Sequence, residues 1–178
     1  PQPPHTEDHV IDPVYRVAGR LSAPQQQELL TSIADPAVAA IFGAPIHADA
    51  GWYVEAGSGT RSLGTVQPRA VEQVIYAQHD DRWEYTLVFT DQAGAQYRLG
   101  VVDLALRNSF DCLRAAHGVA PEEVAARFHA AISAAQVFLR IGLSRGWIKH
   151  PDRCYLQITG VHTFPDYLKG KCLSLIHI

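Results

Sequence analysis

The pattern of apolar and polar positions changes character partway along this chain of 178 residues. The segment "RWEYTLVFT" alternates cleanly, with Trp83, Tyr85, Leu87 and Phe89 on one face and Glu84, Thr86, Val88 and Thr90 on the other. That period of two marks a half-buried strand. "RAVEQVIYA" (69–77) reads as a strand before it, "DQAG" as a turn after it, and "AQYRLGVVD" as the returning partner. Asp103 then predicts an N-cap for a helix over 104–117 that Gly118 ends, and Pro121 with its following glutamates predicts a second over 121–136. Two more strands follow, 137–143 and 154–161.

The first third is less periodic. Residues 1–13 are proline-rich and read as coil or a linker stub, and 14–20 as a short strand. "SAPQQQELL" starts a helix with Ser22 as N-cap and Pro24 in the first turn. "DPAVAAIFG" repeats the logic, with Asp35 capping, Pro36 in the first helical position and Gly43 ending a short helix. The glycine-rich stretch "EAGSGTRSLG" (55–64) is the natural boundary between two halves. Helices set among short antiparallel strands predict an α+β, β-rich fold, a small barrel or sandwich with helical additions.

The last two strands carry the densest mixture of rings and cations. Val137, Leu139, Ile141 and Leu143 share one face of the first, and Leu156 and Ile158 the core face of the second. Phe138 and Arg140, with Tyr155, Gln157 and Thr159, point the other way, and Arg145, Trp147, Lys149 and Arg153 lie between the strands. From Val137 to Lys171 six Lys and Arg face two Asp and no Glu, so the region is locally positive although the chain carries a net charge of −3. Rings beside cations suit a sheet that stacks bases and holds phosphates. The alternative is that the two helices cover this face and its rings belong to the core.

Other chemistry is thin. Nine His include no H-E-x-x-H zinc motif, and Cys112, Cys154 and Cys172 are too scattered to support a metal site. Three widely separated cysteines, an odd number, with no spanning apolar run and no signal-like start, predict reduced thiols in a cytoplasmic protein without a membrane segment. His162 and Asp166 predict a local hydrogen bond. Gly142, Ser144 and Gly146 match the G-x-S-x-G spacing of a hydrolase elbow, but "WIKHPDR" follows where an elbow needs a helix. Gly57 to Gly59 lack the Gly-Lys-Ser/Thr of a phosphate loop. Neither a cofactor nor a catalytic residue is expected. The chain contains no Met and starts at Pro1, and its end, "LSLIHI" (173–178), reads as translated sequencing-adapter sequence; a truncated fragment is expected, with 172–178 an artefactual tail.

"RSLGTVQPRAV", the hairpin ending in "YRLGVVDLALR", and "VFLRIGLSR" together resemble the dual-OB domain family of prokaryotes over roughly 52–161. Val102 stands where that family has the threonine of a Thr-Asp pair, and the family's Gly-Trp-Ile-Arg-Pro type segment is absent, as in a fragment that has lost a first OB-fold. The resemblance implies an OB-like antiparallel barrel with two helices at 61–171, with 1–60 the remnant of an N-terminal or linking region. It also implies action on nucleic acid within conflict or defence systems. The expected function is single-strand nucleic-acid binding, with Arg140, Arg145, Lys149 and Arg153 on phosphates and Trp147, Tyr155 and Phe138 on bases. A protein-interaction or scaffold role in a multi-subunit complex is the alternative, and a hydrolase dependent on Ser144 a third.

Overall fold

A computed structural model describes residues 3–6 and 19–167. The tail at 172–178, and most of the coil and short strand expected over 1–20, lie outside the described residues. The elements run α1 (Ala23–Ile33), α2 (Val38–Ile41), β1 (His47–Ala48), β2 (Trp52–Glu55), β3 (Leu63–Val66), β4 (Ala70–His79), β5 (Arg82–Thr90), β6 (Gln96–Gly100), α3 (Leu104–His117), α4 (Pro121–Ser133), β7 (Gln136–Leu143) and β8 (Arg153–Phe164). The strands form two sheets: five strands in the order β1-β2-β8-β7-β3, and three in the order β4-β5-β6. Every strand pair is antiparallel.

The expectation of a mixed, strand-rich fold holds, but the sheets do not close into a barrel. They meet where Val101, just beyond β6, makes a parallel bridge to Ile158 of β8. Trp52 of β2 also packs its ring 4.9 Å from that of Tyr97 in β6. Between them lies the core, with Leu139, Ile141, Leu156 and Ile158 from one sheet and Leu87, Phe89, Tyr97 and Leu99 from the other, all buried. β1 and β2, which precede the glycine-rich stretch, belong to the same sheet as β7 and β8.

Local signals explain most of the helices. Gln25 accepts from the Ser22 backbone N–H at 2.9 Å, so α1 starts where its Ser predicts. The Asp103 carboxylate accepts from the Ala105 N–H at 2.9 Å, and its other oxygen accepts from Val161 N–H at 2.9 Å, which ties the start of α3 to β8. Gly118 adopts the left-handed conformation (φ 61°) that ends α3. Two expectations fail. α4 stops at Ser133, because Gln136 is already paired in β7 opposite Phe164. Asp35 does not cap α2: its N–H bonds Thr65 and its carboxylate pairs with Arg61, while Val38 N–H donates to the buried Asp91 at 3.1 Å. A distant carboxylate does the work expected of a neighbour.

α3 and α4 lie on the three-stranded sheet and not on the outer face of the β7–β8 hairpin. Phe110 of α3 meets Tyr76 of β4 at 5.3 Å between ring centroids and Phe128 of α4 at 5.1 Å. The outer face of the five-stranded sheet therefore receives no cover from these two helices over its β1–β2–β8 end.

Candidate functional site

The outer face of the five-stranded sheet is built by alternation. Trp52 and Val54 of β2 point to the core, so Tyr53 points out; Cys154 and Leu156 of β8 are buried, so Tyr155 points out. The register places His47 opposite Tyr53 and Tyr53 opposite Tyr155, making one row of rings across three strands. His47 stacks on Tyr53 at 5.2 Å, and Tyr53 meets Tyr155 at 5.9 Å. All three are half-buried. Sequence reasoning missed His47 and Tyr53, since only the β2–β8 pairing brings them beside Tyr155.

Arg153, at the start of β8, is engaged within the protein. Its guanidinium lies 4.6 Å from the centre of the Tyr53 ring and pairs with Asp49 at 3.0 Å. Bonding to Tyr155, with the Asp49 carboxylate adding to it, strengthens its hold on its proton. It fixes the ring row and brings little free charge to it. His47, in turn, lies 3.9 Å from Glu55.

The connection between β7 and β8 carries the exposed cations. Trp147 and His150 close a turn, with His150 N–H donating to the Trp147 carbonyl at 2.8 Å. Trp147 is 52% exposed, Ile148 is 89% exposed, and Lys149 places its ammonium 5.0 Å from the Trp147 ring. Arg145 is exposed on the same connection. The Asp152 carbonyl accepts from Ala56 N–H at 2.8 Å, which anchors the base of this connection to the end of β2.

Arg140 is exposed on the same sheet face but lies along it. Its guanidinium donates to the Thr159 carbonyl at 2.9 Å and to the Thr159 hydroxyl at 3.2 Å. The side chain crosses Gly160, where an added Cβ would stand 3.2 Å from the Arg140 Nε. His162, also on this face opposite Phe138, is held below the usual His range by desolvation and by the Arg140 charge, and so is neutral at pH 7.

The structure thus divides the seven expected residues. Trp147, Lys149 and Arg145 share the exposed connection; Tyr155 lies in the ring row that Arg153 braces; Arg140 lies farther along the sheet. Phe138 is a correction. It is fully buried, edge-on to Phe164 at 6.0 Å, beside the side-chain bond from Gln27 of α1 to Gln136. It cannot stack on a ligand. Ser144 is held on β8, where its hydroxyl accepts from Tyr155 N–H at 2.9 Å, and a turn follows it. Cys154 is a free, buried thiol pushed up by desolvation.

A second polar constellation went unforeseen. Tyr76 of β4 and Tyr85 of β5 both donate to Asp111 of α3 at 2.7 Å, and Arg114 donates to the Tyr76 oxygen at 2.6 Å. Arg114 covers the Trp83 ring at 4.2 Å and Arg107 the Tyr85 ring at 4.6 Å. Burial, and then the bond to Asp111, pushes Tyr76 up to about 12 and raises Tyr85 further. Every polar group in it has a partner from the protein itself, and the cluster clamps α3 to the sheet.

Among the described residues no three His, Cys, Asp or Glu side chains gather in a way that could hold a metal ion, and no helix is long and apolar enough to cross a membrane. No family model, curated protein or solved structure matches the chain.

Proposed function

We propose that the chain is a non-enzymatic module that binds single-stranded nucleic acid on the β1–β2–β8 end of the five-stranded sheet and the β7–β8 connection. The observation that carries this reading is the in-register row His47–Tyr53–Tyr155, with the Trp147–Lys149 pair on the connection next to it. Rings on a sheet give successive bases a platform, and Lys149, Arg145 and Arg140 supply cations for the backbone. The five-stranded sheet then plays the part of the binding sheet of an OB-like fold, in keeping with the dual-OB resemblance and its setting in prokaryotic conflict or defence systems. Compared with the sequence expectation, Tyr53 and His47 replace Phe138, and Arg153 becomes a brace.

The test is fluorescence anisotropy with labelled oligo-dT and oligo-U of about 15 nucleotides. About three phosphate contacts predict roughly a twentyfold loss of affinity between about 50 and 200 mM salt. Absence of binding at the lower salt, or binding indifferent to salt, refutes the reading. A second reading is favoured by one observation: Ile148 is almost wholly exposed beside Trp147, as in a protein-contact tip. That surface would serve a scaffold role, and an Ile148→Ser variant that loses a protein partner while keeping oligonucleotide affinity would support it.

A further inference from the structure

Gln157 differs from its polar neighbours on the outer face of the five-stranded sheet. It lies on β8 between the buried Leu156 and Ile158, so its side chain points outward, two positions from Tyr155. The residue is half-buried, yet among the described residues its carboxamide makes no hydrogen bond to the protein. The groups around it are engaged: the Arg140 Nε donates to the Thr159 hydroxyl, which donates to the Arg140 carbonyl, and the Ser144 hydroxyl accepts from Tyr155 N–H. A carboxamide brings an N–H donor and a carbonyl acceptor side by side, and here both are open.

The surface beside it is low and apolar. Gln157 pairs with Gly142 of β7, where an added Cβ would stand 2.8 Å from Thr159 Cγ2 and 3.3 Å from Leu63 Cδ1. Space rather than conformation calls for this glycine: the Thr159 methyl and the exposed Leu63 close over it where a side chain would otherwise project. On the other side of β8, Val101 bridges Ile158 in the core, which turns the next residue, Val102, outward, and it too is exposed. Apolar groups thus flank the carboxamide, and Tyr155 follows two residues along the strand at ~3.3 Å per residue. A planar ring laid on this shelf sets its polar edge against Gln157.

We infer that Gln157 selects the base at this face and that the base it selects is adenine, an inference that rests on the nucleic-acid reading above. The ring row and the exposed cations act on any strand, because every base has a face to stack and every nucleotide a phosphate. Selection needs a group that reads a base edge, and the open carboxamide is such a group. It matches an edge that holds one donor next to one acceptor. Adenine presents that pair on both of its edges, N6–H with N1 and N6–H with N7, and Gln on N6 and N7 is a recurrent pairing. Guanine offers it on one edge alone, since its N7 and O6 are both acceptors, and the pyrimidines likewise have a single matching edge. Adenine therefore meets Gln157 whichever edge it turns inward.

Fluorescence anisotropy on the full chain with two labelled strands of about 15 nucleotides tests it. One is oligo-dA; the other carries unsubstituted purine in place of each adenine, which keeps the stacking ring and removes the N6 amine. The parent should bind oligo-dA at least about fivefold more tightly than the purine strand. That preference should vanish in Gln157→Ala. It should vanish equally in Gln157→Glu, which keeps the shape and packing of the side chain but sets acceptors alone against N1 or N7. Equal affinity of the parent for the two strands, or a preference that survives in either variant, overturns the inference and leaves the nucleic-acid reading standing. Binding to neither strand nor to oligo-dT at about 50 mM salt removes both.

Discussion

Two regions of this molecule are built from the same ingredients, tyrosines, arginines and a carboxylate, yet they differ in what remains for a ligand. Under α3, Tyr76 and Tyr85 converge on Asp111, and Arg114 and Arg107 cover the Trp83 and Tyr85 rings. At the β1–β2–β8 end of the other sheet, Tyr53 and Tyr155 line a face that α3 and α4 do not cover, and one arginine braces them against Asp49. Rings and cations in a sequence are therefore no measure of a binding surface. What decides is whether each group's polar needs are met inside the fold and whether an element lies over it.

The comparison breaks most readily at Phe138. Phe138→Ala should cost about 3–5 kcal/mol of stability in urea unfolding, as a fully buried ring does when truncated. Loss of oligonucleotide binding with stability unchanged would return Phe138 to the ligand face. Next comes Asp111→Ala, which strips two tyrosine hydroxyls and Arg114 of a shared acceptor; a loss of roughly 2 kcal/mol is expected, tempered by the partial exposure of the carboxylate. Oligonucleotide affinity should not move. Trp147→Ala should do the reverse, lowering affinity by about 1–3 kcal/mol while stability stays within about 0.5 kcal/mol. If both variants shift the same quantity, the two regions are not distinct in role.

The smallest effect is a pH dependence. Tyr76 donates as a neutral phenol, and its folded value near 12 lies above the value of about 10 in the unfolded chain. Its contribution is complete below pH ~10 and is lost as pH rises toward ~12. The melting-temperature advantage of the protein over Tyr76→Phe should therefore be constant from about pH 7 to 9 and shrink above pH ~10. A gap that widens with alkali would contradict the hydrogen bond to Asp111.

The sequence was most legible where one local rule decided the outcome. β5 alternates because one face is buried, and Asp103, Ser22 and Gly118 mark helix ends by chemistry within a few residues. It was illegible where a partner came from afar. Asp91 supplies the N-terminal bond of α2 from 53 positions away, and a neighbouring Asp-Pro pair looked sufficient. Alternation also misassigned Phe138, because that rule assumes a solvated outer face and Phe138 is buried there, edge-on to Phe164. The ring row depends on β2, four residues long, pairing with β8 across a hundred positions; nothing local to Tyr53 announces it.

Photo-crosslinking of an oligonucleotide carrying 4-thiouridine, read out by mass spectrometry of the bound peptides, tests the central claim most directly. Crosslinks are expected at Tyr53, Tyr155 and Trp147, abolished by high salt and spared by Asp111→Ala. Crosslinks confined to the three-stranded sheet and α3, or none at a salt concentration where the chain is folded, would contradict it.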